Sequence, residues 1–116
     1  MKLAVVGSRT WSDYALLCRT LDAIGPTSII SGGARGADAF AEAYAQTRKL
    51  PLVVFHPDWK RDGRGAGFKR NAYIVDAADK VIVFWDGKSR GAAHTMELAR
   101  KAGKLLRVVL EEHGDE

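Results

Sequence analysis

The chain has 116 residues, 47% of them hydrophobic and 28% charged, with a formal net charge of +4. That describes one domain with enough apolar residues for a core, and it excludes a disordered or low-complexity chain. The single cysteine, Cys18, excludes an intramolecular disulfide and a cysteine zinc site. The N-terminal apolar run is too short for a signal peptide or a membrane span, so a cytoplasmic protein is expected. The mildly basic balance permits nucleic acid or phosphorylated ligands without requiring either.

The first apolar run, "LAVV" at 3–6, predicts a strand. Helical spacing follows, with Tyr14, Leu17, Cys18, Leu21 and Ile24 on one face, Ser12 as the expected N-cap and Gly25-Pro26 as the stop. A second strand, "SII" at 28–30, leads to a second helix through Ala37, Phe40, Ala41, Tyr44 and Ala45. That alanine-rich helix suits either packing on a twin subunit, as in a homodimer, or lying flat on a sheet. The third strand is "LVVF" at 52–55, and the segment after it, "HPDWKRDGRGA" at 56–66, is too long to be only a turn. A weaker helical pattern covers about 66–78, carried by Phe68, Ala72 and Val75. The fourth strand is "VIVFW" at 81–85, followed by a helix over about 90–103 that ends at Gly103, and then "LLRVVL" at 105–110. The domain is thus expected over 1–110, with "EEHGDE" at 111–116 as a frayed acidic tail.

Most of the strand runs are continuously apolar, as in strands covered on both faces. Strict alternation of strand and helix predicts an α/β fold: one Rossmann-like, doubly wound domain of about five parallel strands with helices on both faces. In such a sheet ligands bind beyond the carboxyl ends of the strands, so the loops after each strand matter most. Nine of the twelve glycines and half of the basic residues fall in those loops, and all three tryptophans lie there or at the strand end. Glycines before a helix let backbone amides approach an anion, arginines grip phosphate, and tryptophans offer flat faces for a base.

The candidate ligand set is therefore Gly7, Ser8 and Arg9 after the first strand, and Ser31, Gly32, Gly33, Arg35, Gly36 and Asp38 after the second. It continues with Asp58, Trp59, Arg70 and Asn71 after the third strand, and Trp85, Asp86, Gly87, Ser89, Arg90 and Gly91 around the fourth. "SGGARG" reads as a phosphate cradle with Arg35 as clamp, in which a side chain at Gly33 would fill the ligand's space and spare the fold. Arg70 reads as a ligand contact, or else as the partner of Asp58 or Asp62 across the loop. Asp38 serves either the ligand or the N-terminus of its own helix. Trp85 is a candidate half-buried core residue, His94 a surface histidine, and Glu97 a partner for Lys101 on a solvated face. No catalytic residue and no metal ligand is assigned, and Mg²⁺ enters only as a companion of ligand phosphates. Neither a GxGxxG nor a Walker pattern is present.

"GSRTW", "SGGARGAD", "HPDWKRDGRGAGFKRN" and "VFWDGKSRGAAHTMELA", in that order, resemble the YspA/cpYpsA-related branch of the SLOG superfamily over roughly 3–108. The resemblance implies a Rossmann-like domain that binds a nucleotide or nucleotide-derived molecule. It also implies kinship with the Lonely Guy phosphoribohydrolases and with the DNA-processing proteins, which bind single-stranded DNA. The phosphoribohydrolases carry a glycine pair, a Gly-Thr and a glutamate three residues on. In this chain Gly91 matches the glycine, Ala92 takes the threonine slot and Thr95 the glutamate slot, while Glu97 lies two residues beyond. The "GSR" and the "RN" of Arg70-Asn71 are similar to motifs of the DNA-processing proteins.

The first functional expectation is a binder of a nucleotide-derived phosphorylated ligand, acting as sensor, carrier or processing domain. The alternative is a hydrolase cleaving an N-glycosidic bond with Asp58, Asp86 or Glu97 as acid or base. A second alternative is single-stranded nucleic-acid binding along Lys60, Arg61, Arg64, Lys69 and Arg70, a patch that Asp58, Asp62 and Asp86 interrupt.

Overall fold

The computed structural model describes residues 1–111, and 112–116 lie outside the described residues. Five parallel strands form the sheet: β1 (Lys2–Gly7), β2 (Ser28–Ser31), β3 (Leu52–Val54), β4 (Lys80–Trp85) and β5 (Leu105–Leu110), in the order β3-β2-β1-β4-β5. Helices α1 (Tyr14–Ile24) and α2 (Ala37–Thr47) cover one face, and α4 (Ala66–Ala77) and α5 (Arg90–Lys101) the other. Leu3, Val5, Ile29, Ile82 and Phe84 pack toward α1 and α2, while Ala4, Val6, Ile30, Val81 and Val83 pack toward α4 and α5. Successive strand residues point to opposite faces, so double coverage demands the unbroken apolar runs seen in β1 and β4. The fold is the single α/β Rossmann-like domain that the alternation predicts.

Local chemistry differs in places. The N-cap of α1 is Asp13, whose carboxylate accepts from the Leu16 amide at 2.9 Å, and not Ser12. Ser12 is engaged elsewhere: its amide and hydroxyl both donate to Glu111. The Glu111 amide donates to the Trp85 carbonyl, so Glu111 belongs to the domain and not to a tail. The expected frayed segment beyond it falls outside the described residues. Gly25 closes α1 in the left-handed conformation at φ 69°. Ala37, Ala41 and Ala45 of α2 are fully buried on the sheet, where small side chains let helix and strands approach closely.

The segment 56–66 contains a short helix, α3 (Trp59–Asp62), and a 3₁₀ turn (Gly63–Gly65) that runs into α4. Asp58 caps α3, accepting from the Arg61 amide at 3.1 Å. Four residues are too few to show periodicity, so the sequence carries no signal for this helix. After β3 the chain crosses back over the sheet to place β4 on the other side of β1. That reversal opens a crevice beyond the carboxyl ends of β1 and β4, where open α/β sheets take ligands.

Candidate functional site at the switch point

A cleft of about 340 Å³ occupies that crevice. Gly7, Arg9 and Thr10 enter it from β1, Ala34 and Asp38 from the start of α2, and Arg70, Asn71 and Ile74 from α4. Asp86, Ser89, Gly91, Ala92 and Thr95 close the β4 and α5 side. A second hollow of about 270 Å³ lies alongside, lined by Arg9, Gly32, Gly33, Ala34, Arg35, Pro57, Trp59, Gly67 and Arg70. Arg9, Ala34 and Arg70 line both, so the two are lobes of one site.

The lobes differ in charge. Among the described residues the first contains two carboxylates, Asp38 and Asp86, and the second contains none but three arginines. Arg9 and Arg35 are exposed. Arg70 is half-buried, and burial lowers its pKa against the opposing pull of Asp38. Its Nη1 donates to the Gly32 and Phe55 carbonyls and its Nε to the Asn71 side chain at 3.0 Å. Neither Asp58 nor Asp62 pairs with it. Asp62 takes Arg61 and Lys69 instead, which corrects the loop pairing expected for Arg70.

The glycine cradle also needs correction. The Gly33 amide donates to Ser31 Oγ, the Ala34 amide to Asp38 Oδ2, and the Ala37 amide to the Ser8 carbonyl. These three amides, two in the loop before α2 and one in its first turn, are thus taken by the chain's own groups. A Cβ on Gly33 would meet the His56 ring at 2.6 Å, and its φ of 73° disfavours any side chain. Gly33→Val therefore strains the loop itself and does not simply fill a phosphate site. Gly7 is required because a Cβ there would lie 2.0 Å from the Phe84 carbonyl oxygen. Gly91 is the contrast: among the described residues nothing beyond its chain neighbours and its own helix backbone lies within 4 Å of its Cβ position, and it stands on the wall of the first lobe.

The turn leading into α5 is also bonded internally, and Ser89 Oγ caps the helix by accepting from the Ala92 amide at 3.4 Å. Asp86 Oδ1 accepts from the Lys88 and Ser89 amides, both at 2.8 Å, and Oδ2 accepts from Thr10 Oγ1 at 3.2 Å. These bonds hold its carboxyl at about pKa 2, so Asp86 organises the "DGKS" turn as a fixed anion. Asp38 is the opposite case. It is 4% exposed, Oδ1 has no hydrogen bond of normal geometry among the described residues, and burial pushes its carboxyl up to about 6 against the Ala34 amide, the Arg70 charge and the nearby Gly7 amide.

Several expected residues do not reach either lobe. Ser8 and Ser31 are fully buried. Ser8 Oγ accepts from the Asp86 amide, and Ser31 Oγ donates to Glu42. Gly36 lies beneath the first loop at the start of α2. Trp85 is half-buried, with its indole N–H on the Ser89 carbonyl. Trp11 is a core residue stacked edge-on to Phe84, leaving Trp59 as the exposed tryptophan of the site. Asp58, Gly87 and Arg90 sit outside the lobes. Glu97 faces outward and pairs with Arg100, one residue short of the expected Lys101. The sequence reading missed Thr10, although it directly follows "GSR"; its role shows only when β4 brings Asp86 beside it.

A doubly wound domain with a polar two-lobed cleft at its switch point is, by class, a Rossmann-like domain built around a ligand crevice. Residues 1–61 match the YspA, cpYpsA-related SLOG family. The chain is also 33% identical over 113 residues to the gene 61 protein of Mycobacterium phage D29, covering 88% of this chain and 90% of that protein. The chain belongs to this SLOG family. In fold it is similar to DNA processing protein A of Helicobacter pylori, a protein with a single-stranded DNA binding mode, at TM-score 0.73 and 23% identity. That likeness covers all of this chain and 68% of the other.

Proposed function

We propose that the domain binds a nucleotide or nucleotide-derived phosphorylated ligand across the two lobes, as sensor, carrier or processing domain. The observation that carries this reading is the segregation of charge. A phosphate sits favourably among Arg9, Arg35 and Arg70, where no carboxylate of the described residues opposes it, and guanidinium forks suit its oxygens. Asp38 in the first turn of α2 and Asp86 in the turn before α5 place negative charge near both helix starts, which favours the arginine side chains as the groups that carry the phosphate. The first lobe, with apolar Val6, Ile74 and Ala92 among polar groups, suits the sugar and base.

Gly91→Ala tests this directly. Replacing a helical glycine by alanine should raise apo stability by roughly 0.5–1 kcal/mol. The added methyl intrudes on the first lobe, so affinity for the tightest-binding nucleoside monophosphate should fall. A more stable variant with unchanged affinity, by thermal melt and calorimetric titration, places the ligand elsewhere.

No appreciable release of base from nucleoside monophosphates is expected. Thr95 stands on the cleft wall where the phosphoribohydrolase pattern has glutamate, its hydroxyl donating to the Gly91 carbonyl, while Asp86 is committed to its turn and Glu97 faces away. Robust turnover followed by chromatography would reverse this reading in favour of the hydrolase.

The DNA binding of the structural neighbour and one local feature support a second reading, single-stranded nucleic acid. Trp59 is 59% exposed at the rim of the arginine lobe, next to Lys60. A base stacked on Trp59 with backbone tracking Lys60 and Arg64 is the arrangement of a strand-binding surface. The slope of log affinity against log salt separates the readings, steep for a strand and shallow for a mononucleotide.

A further inference from the structure

We propose that Asp38 is the specificity residue of the site: its Oδ1 accepts a hydrogen bond from a neutral donor of the ligand, a sugar hydroxyl or a base N–H, and keeps phosphate out of the first lobe. This rests on the reading that the site takes a phosphorylated nucleotide derivative. Three observations carry it. Asp38 lines the first lobe, while its Oδ2 is occupied by the Ala34 amide. Its Oδ1 is buried with no hydrogen-bond partner among the described residues. Gly32 lies against the carboxylate so closely that a Cβ there would stand 2.8 Å from Oδ2, so only glycine leaves room for the group in this position.

A buried acceptor without a donor is costly, and native proteins rarely tolerate one without a role. Arg70 does not form an ion pair with Asp38 within the site: its Nη1 is turned to the Gly32 and Phe55 carbonyls. Glu42, one turn further along α2, adds negative potential against the larger positive contribution of Arg70. The unpartnered Oδ1 therefore calls for a donor that is not itself an anion. A phosphate oxygen facing Asp38 meets repulsion, whereas a hydroxyl or N–H completes the carboxylate's bonding. The charge pattern then gives the ligand a direction, with phosphate on the arginine lobe and sugar or base over Asp38.

The test compares wild type with Asp38→Asn against inorganic phosphate, ribose 5-phosphate and the four ribonucleoside monophosphates. With the variant's side-chain carbonyl retained by the Ala34 amide, its NH₂ group presents donors where the carboxylate presented an acceptor. The tightest nucleoside monophosphate should bind Asp38→Asn about tenfold or more weakly, as expected for loss of a charged hydrogen bond. Inorganic phosphate should bind more tightly, since a repelling charge has gone. Loss with ribose 5-phosphate as well assigns the donor to a sugar hydroxyl; loss with the nucleotide alone assigns it to the base. Parallel shifts for phosphate and nucleotide, or no shift in either, overturn the role of Asp38. Arg9→Ala serves as the second variant and should show the reverse pattern, weakening inorganic phosphate most. If neither inorganic phosphate nor any monophosphate binds the wild type, the phosphorylated-ligand reading fails, and the inference fails with it. Binding without a differential at Asp38 sinks the inference alone.

Discussion

Gly36→Ala should destabilise the domain by about 3–5 kcal/mol, combining backbone strain with overpacking. Gly36 precedes α2 with φ 69° and ψ −124°, a region that side chains do not adopt. A Cβ there would lie 2.3 Å from the Ser8 carbonyl oxygen and 2.5 Å from that of Arg9. Both obstacles are backbone, and the Ser8 carbonyl also accepts from the Trp11 and Ala37 amides. The first loop therefore cannot yield without breaking its own bonds. Gly63→Ala is the control. Gly63 also has positive φ, but among the described residues nothing beyond its chain neighbours lies within 4 Å of its Cβ position, so only the local strain should register. Urea denaturation of the two variants checks this. Equal losses would mean that the close approach between the first loop and α2 contributes nothing.

Asp38→Asn should move stability in the other direction. Burial, opposed by the Ala34 amide and the Arg70 charge, raises the Asp38 carboxyl from 3.8 to about 6. Between those values the native state holds a proton that the unfolded chain has released. Stability therefore falls as pH rises through that window, and the loss is complete above about 6. Two pKa units correspond to about 3 kcal/mol. Asparagine does not ionise, so the variant should be about 2–3 kcal/mol more stable than wild type at pH 7. The gap should shrink as pH falls toward 4, where both proteins are neutral at this position. Asp22, Asp62 and Asp86 have lowered pKa values and weaken both proteins alike in acid, so the difference is the informative quantity. A gap independent of pH would show that Asp38 is not buried as a carboxylate. A variant that gains stability while losing nucleotide affinity would mark Asp38 as a residue kept for binding at a cost to the fold.

Much of the architecture was legible in the sequence because it follows local rules. The strand runs at 3–6 and 81–85 are apolar without alternation since both faces of β1 and β4 are covered. Gly25 stops α1 because a left-handed residue closes a helix most easily as glycine. The short α3 left no trace, since four residues make one turn and show no period.

The site was legible as a place but not as a mechanism. Loop position alone puts Arg9, Arg35, Asp38, Arg70, Asp86 and Gly91 at the carboxyl edge, and all of them line the two lobes. What sequence spacing could not show is who answers whom across the sheet. Ser8 is 78 residues from the Asp86 amide it accepts from, and Gly32 is 38 residues from the guanidinium it receives. Those long-range bonds fix the loops against one another, while the Gly33 and Ala34 amides bond locally to Ser31 and Asp38, and burial makes Trp11 core and Trp59 surface. They also leave Asp38 as the carboxylate with a buried open acceptor among the described residues. The sequence by itself determined an α/β domain with its polar chemistry gathered on one edge, because hydrophobic pattern and turn residues act over a few neighbours. Only the tertiary structure decided which of those polar groups are satisfied, because burial and hydrogen bonding depend on strands that meet in space and not along the chain.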